Sequence, residues 1–167
     1  MDEVLGKDGK MQESDIAKLP YVQSILKEVM RLYPPAPFLI PHKAEQDVPL
    51  GGYLVPKNST IWVNVYSIGH DPRVWQDPEI FSPERFLETN VDFKGQDFEL
   101  LPFGSGRRIC PGIPLAHRMV QMMLGVLLHS FNWKYAHGTN PKDIDMEEKF
   151  GIALQKAEPL QAIPLPR

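Results

Sequence analysis

The sequence predicts a mainly α-helical fold carrying small antiparallel β-sheets, and three observations predict it. Between Pro20 and Tyr33, the residues Val22, Ile25, Leu26, Val29, Leu32 and Tyr33 recur at helical spacing, the pattern of an amphipathic helix. Leu115 to Phe131 is apolar nearly all round, the pattern of a helix buried on most sides. The third observation is 17 prolines in 167 residues, about twice the ordinary usage. They exclude a long-helix bundle and break the rest into turns and short strands. The length suits one domain with a sizeable core.

Charge and cysteine usage exclude other classes. A net charge of −3 leaves no electrostatic footprint for nucleic acid. One cysteine excludes an intrachain disulfide framework and any Cys-rich zinc site. No apolar run reaches about 18 residues and no charged-then-apolar leader opens the chain, so no membrane span or signal peptide is expected.

Taken in order, residues 1–12 are polar and without periodicity, and read as a loop. Ser14-Asp15-Ile16 reads as a helix start, and Pro20 fits the first turn of a second helix, giving helices over 14–33. Pro34 and Pro35 end them, because the residue before proline is driven out of the helical region. Residues 35–66 read as a small antiparallel sheet, with strands at Phe38–Ile40, Tyr53–Val55 and Thr60–Tyr66. Residues 70–101 are rich in Pro, Asp, Glu and aromatics and form a meander with short helices at Pro72–Trp75 and Pro83–Leu87; so long a meander within a compact domain is usually functional. A glycine-rich basic loop spans 103–112, a buried helix 113–131, and short strands 150–164, around Gly151–Leu154 and Leu160–Ile163.

The chemistry concentrates around Cys110. In an extended stretch, alternate side chains share a face, so Arg108 and Cys110 point together with Gly106 and Gly112 on either side. Glycine permits close approach of another body and unusual backbone turns. The helix that follows places the sulfur near a helix N-terminus, where unpaired N–H groups favour a thiolate. A thiolate, a nearby cation and close-approach glycines suit a flat, anionic, metal-centred ligand. Two other readings stand beside it: an inert buried thiol, or a nucleophile with His117 as its base, although nothing in the spacing brings His117 to the sulfur.

The stretch Phe103-x-x-Gly106-x-Arg108-x-Cys110-x-Gly112 resembles the haem-binding signature of the cytochrome P-450 superfamily at every defining position. Glu28-Val29-Met30-Arg31 resembles the family's Glu-x-x-Arg motif, and Pro83-Glu84-Arg85-Phe86 its Pro-Glu-Arg-Phe motif. All three stand in family order. The wording around Arg31–Pro37 and Leu101–Gly104 is similar to the plant microsomal branch, closest to members that hydroxylate terpenoids and related small natural products.

The resemblance implies the C-terminal, haem-proximal part of the cytochrome P-450 fold, an incomplete domain over 1–167. It implies haem b with Cys110 as axial thiolate of the iron, a ligand that favours O–O cleavage. Arg108 would pair with a haem propionate, Gly106 and Gly112 would let the backbone lie against the porphyrin, and Phe103 would pack beside the sulfur. His42 would contact a propionate or stand as a solvated loop histidine. Glu28, Arg31 and Arg85 would form a buried network that pins the meander, instead of an exposed ion pair. Ala36, Phe38, Leu39 and Ile40, with Ile152 and Leu154 in a C-terminal turn, would line a cavity for a small apolar substrate, or serve as core.

The implied activity is a monooxygenase using O2 and electrons from NADPH through NADPH–cytochrome P-450 reductase, on the cytosolic face of the endoplasmic reticulum membrane for a full-length member. The resemblance covers only the C-terminal part of the family's chain, without its anchor or the distal helix whose acid–alcohol pair serves oxygen activation. No catalytic residue is therefore identifiable, and the expectation is a chain poorly active by itself. The alternative is a non-catalytic haem-binding fragment or interaction module.

Overall fold

The computed structural model describes residues 1–138, 140–151 and 153–167. The chain opens with α1 (Asp2–Leu5), one turn where the polar sequence reads as loop. A 3-10 helix follows over Glu13–Lys18, capped by Gln12 and not by Ser14. The Gln12 amide donates to the Asp15 carboxylate at 3.0 Å, and this reciprocal cap sets the start. Helix α2 (Pro20–Leu32) begins on Pro20, whose missing N–H costs nothing at that position. Its buried residues are Val22, Ser24, Leu26, Glu28, Arg31 and Leu32. Val29 and Tyr33, expected on the core face, are exposed.

Two separate two-stranded ribbons replace the single sheet expected over 35–66. Strand β1 (His42–Lys43) pairs with β4 (Thr60–Ile61), and β2 (Val48–Leu50) pairs with β3 (Tyr53–Val55), both antiparallel. Phe38–Ile40 is not a strand. The Leu39 amide donates to the Ala36 carbonyl at 3.0 Å, and Leu39 has φ 53°. Prolines at 34, 35, 37 and 41 fix neighbouring φ angles and remove ladder donors, so a turn forms instead. The strand expected to run on to Tyr66 stops at Ile61. Asn64 caps helix α3 (Val65–Gly69) by accepting from the Ser67 amide at 3.0 Å, and the cap wins over strand alternation.

In the meander, Pro83–Phe86 forms a 3-10 helix and Pro72–Trp75 only a turn. Helix α4 (Ile113–Ser130) then crosses the molecule. It is not buried on most sides: only Gln121, Gly125 and His129 are buried, while Leu115, Met119, Met123 and Leu127 are exposed. The reason is packing supply. The chain's own α1, 3-10 segment and α2 cover one side, where Met122, Leu124 and Val126 meet Met11, Ile16, Leu19 and Val22.

Phe131, expected at the helix end, instead begins β5 (Phe131–Tyr135). It pairs antiparallel with β8 (Ala162–Pro166), joining Phe131 to Pro166 and Tyr135 to Ala162. Of the strand expected around Gly151–Leu154, the described residues Gly151, Ala153 and Leu154 lie in no strand and fall between β6 (Glu148–Lys149) and β7 (Gln155–Lys156), which pair with each other. A second core, of Leu26, Trp75, Phe86, Phe93 and Leu100, holds α2 against the meander, and Phe103 and Ile113 pack on it. That core is the floor of the candidate site. No helix among the described residues is long and apolar enough to cross a membrane.

Candidate haem-thiolate site

The glycine-rich loop is folded, not extended. Gly104 and Gly106 take φ values of 71° and 63°, a left-handed backbone that other residues resist. Residues Gly106–Arg108 form a 3-10 turn, closed by the Ile109 amide on the Gly106 carbonyl at 3.2 Å. The Cys110 amide donates to the Phe103 carbonyl at 3.0 Å and shuts the loop on itself. Arg108 and Cys110 therefore do not share a face by strand alternation, as the sequence predicts; the turn sets their directions. Cys110 is exposed, and so is Arg108. Gly112 caps α4 immediately after, and a β-carbon there would sit 3.5 Å from the sulfur.

Beneath the loop, Phe103 meets Phe93 edge-on with ring centroids 5.6 Å apart. Gly95 supports it from the meander with φ 78°, and a β-carbon there would lie 2.8 Å from Ile109 Cδ1 and 3.0 Å from both the Gly104 carbonyl oxygen and Ser105 Cα. Gly95→Ala is thus expected to destabilise the fold by about 2–3 kcal/mol, from a disfavoured left-handed φ and overpacking. The Cys110 amide should exchange faster in that variant. Unchanged exchange of that amide would show that Gly95 does not seat the loop.

On the far side of the floor, α2 brings Glu28 and Arg31 together one turn apart. Arg31 Nε and Nη2 donate to the two Glu28 carboxylate oxygens at 2.7 and 2.8 Å, both side chains fully buried. Arg85 Nε donates to Glu28 Oε1 at 3.2 Å, and the Ser82 amide to the same oxygen at 2.8 Å. Arg31 also reaches the carbonyls of Gly69, Pro78 and Ile80, and Arg85 those of Gln76 and Ile80. Buried charge is tolerable only when so fully matched. The arrangement ties α2 to four residues of the meander, Pro78, Ile80, Ser82 and Arg85, and to Gly69 of α3.

With this geometry in place, the family model described as Cytochrome P450 matches residues 1–162. The chain belongs to the cytochrome P450 family. It is 60% identical to cytochrome P450 76AD1 of Beta vulgaris over 99% of its own length. It is 57% identical to a geraniol 8-hydroxylase of Swertia mussotii over 98%, and 53% identical to a carnosic acid synthase of Salvia fruticosa over 97%. A solved zebra fish cytochrome P450 with abiraterone aligns at TM-score 0.84 and 38% identity, covering 99% of this chain and 37% of that one. The chain spans about a third of the length of the relatives it matches, 33% for the first. The fold is accordingly a partial P450 fold.

In this P450 chain the remaining candidate residues belong to other segments than the loop. Leu39 Cδ1 lies 3.5 Å from the β-carbon position of Gly104, so the turn 36–40 touches the glycine-rich loop through Leu39. The Leu154 amide donates to the Pro35 carbonyl at 2.7 Å, which brings Leu154 to the start of that turn. Ala36 is half-buried; Phe38 and Ile40 are exposed, and Phe38 stacks edge-on with Trp62. Ile152 lies outside the described residues. His42 is exposed on β1, opposite Ile61. Sequence reasoning missed Phe93, Gly95 and Gly69; the only signal was a glycine amid aromatic meander residues.

The family implies haem, and the residues present fit it. The loop offers an exposed thiol, with space over Gly106 that no atom within 4 Å fills from its β-carbon position. Arg107 and Arg108 make no hydrogen bond or ion pair with any described residue, leaving two guanidinium groups for an anionic group. Among the described residues, no group of three or more His, Cys, Asp or Glu could hold a metal ion. A single sulfur donor suits an iron already bound by its own macrocycle.

Proposed function

We propose that this chain is the thiolate side of a P450 monooxygenase that inserts one oxygen atom from O2 into a small apolar, terpenoid-like substrate. The observation that supports it best is the loop closed by Cys110 on Phe103 with its sulfur exposed. In this reading Cys110 would hold the haem iron through its thiolate. Arg108 would pair with a propionate by charge-assisted hydrogen bonds, and His42 would contact a propionate. Gly106 and Gly112 would leave room for the porphyrin beside the backbone, and Phe103 would pack beside the sulfur. When bound, haem with a thiolate ligand supplies the oxygen-activating chemistry. Glu28, Arg31 and Arg85 hold the meander, and through it the floor on which the loop rests.

The substrate class is supported by the apolar turn 36–40, by Leu154 bonded to the adjacent Pro35, and by relatives named geraniol 8-hydroxylase and carnosic acid synthase. Electrons come from NADPH through a reductase, and the whole protein works at the cytosolic face of the endoplasmic reticulum membrane. The test is the carbon monoxide difference spectrum of the haem-loaded chain beside Cys110→Ser. A thiolate-type band in the parent that disappears in the variant is expected; identical spectra would overturn the ligand assignment.

A further inference from the structure

We propose that His117 is a positioning residue for the Cys110 loop, holding it through Phe93 and Phe103 only while the imidazole is neutral. His117 stands half-buried on the second turn of α4. Its ring packs on Phe93 with centroids 5.3 Å apart, and Phe93 packs on Phe103 at 5.6 Å. Phe93 is 2% exposed and sits within the core, so it cannot tilt without disturbing its neighbours. Phe103 ends the column, and its carbonyl accepts the Cys110 amide that closes the loop. Three rings thus connect α4 to that hydrogen bond.

The charged groups facing His117 come from three elements. Arg118 is on α4, Lys27 on α2, and Asp92 and Lys94 lie in the meander. Asp92 is already matched by Lys94 at 2.8 Å and by the Phe93 amide at 2.8 Å. Burial pushes the His117 pKa below its ordinary value; Lys94, Lys27 and Arg118 push the same way and Asp92 opposes them. The folded chain therefore binds this proton less readily than the unfolded one. The contribution of His117 is full above the ordinary value of 6.5 and is lost as pH falls through it toward the lowered folded value. A charged imidazolium must hydrate, and to do so it leaves Phe93.

The consequence for haem rests on the reading of Cys110 as ligand, but the test does not, because it reads the loop without haem. Amide exchange of the full chain is followed by NMR from pH 7 to pH 5 and expressed as protection factors. Protection of the Cys110 amide should fall roughly 3- to 10-fold over that range, one proton permitting at most about tenfold per pH unit. Tyr33, whose amide is bonded to the Val29 carbonyl at 2.8 Å, is the reference and should stay level. In His117→Phe, which keeps a packing ring and removes the titration, Cys110 protection should be flat. Superimposable profiles of parent and variant would overturn the proposal, as would a parallel loss at Tyr33. In the parent alone, Cys110 protection should begin to fall near 6.5 and level off near the midpoint of the His117 ring resonances, which lies below 6.5; a loss outside that window would overturn it whether or not the variant folds. A failed carbon monoxide spectrum with a normal exchange result would sink the ligand reading and leave this one standing.

Discussion

Glu28→Ala should lower the unfolding free energy by about 3–5 kcal/mol, the loss expected when one partner of a buried ion pair is removed. Arg31 is 1% exposed and would keep its bonds to three carbonyls while its charge lost its counter-ion. Arg85 would lose the same partner, and the half-buried Ser82 amide its acceptor. Urea unfolding of parent and variant measures the loss; a difference under about 1 kcal/mol, the size of an exposed pair, would mean the network contributes little. Arg85→Ala should cost less, because the Arg85 side chain is 15% exposed and water can replace it. The pH dependence has a definite sign. Burial alone would raise the Glu28 pKa, but hydrogen bonds from Arg31 and the Ser82 amide and the charges of Arg31 and Arg85 hold it below 4.5. Its stabilisation is therefore full above that ordinary value and disappears as pH falls through the lowered folded value. Over that window, stability should fall less steeply in Glu28→Gln than in the parent.

These residues also show what a sequence can and cannot reveal. Periodicity located α2 correctly from Pro20 onward, because a repeated apolar spacing has few other causes. It located the face only in part: Val22, Leu26 and Leu32 are buried, but Val29 and Tyr33 are exposed, while Glu28 and Arg31 are among the most buried side chains in the chain. A hydrophobicity pattern cannot register a charged pair whose partners lie about 40 to 60 residues away, such as Gly69 and Arg85. The motif resemblance grouped the charges, and the structure shows the carbonyls that complete them. The glycine-rich loop was legible in its residues but not in its path. Alternation assumes an extended chain, whereas left-handed glycines at 104 and 106 and a 3-10 turn curl it. On α4, an all-round apolar composition reports what a helix can bury, not what this chain places against it. Gly95 and Gly69 were silent because close backbone approach is a tertiary fact; the glycine shows only that nothing larger is there.

Gly69→Ala should be as damaging as loss of Glu28, at about 3–5 kcal/mol, the sum of a backbone overlap and a weakened charged hydrogen bond. Gly69 ends α3 directly against α2. A β-carbon there would overlap the Arg31 carbonyl oxygen and lie 3.2 Å from its carbon. The opposing group is helix backbone, which cannot rotate aside as a side chain would. The Gly69 carbonyl meanwhile accepts from Arg31 Nη1 at 2.6 Å, so the same residue both touches the helix and holds its buried arginine. Forcing α3 away would pull on the turn at 36–40, because the amides of Val65 and Tyr66 donate to the Pro37 carbonyl at 2.9 and 3.3 Å. The damage should therefore reach the apolar turn that touches the glycine-rich loop as well as the charge network. It should also overlap with that of Glu28→Ala, since each change loosens Arg31. In a double-mutant cycle by urea unfolding, the pair should cost less than the sum of its parts by about 0.5–3 kcal/mol, the range for residues sharing one network. Additivity within about 0.5 kcal/mol, the behaviour of independent sites, would mean that Gly69 acts on packing alone and that Arg31 does not couple α3 to the meander.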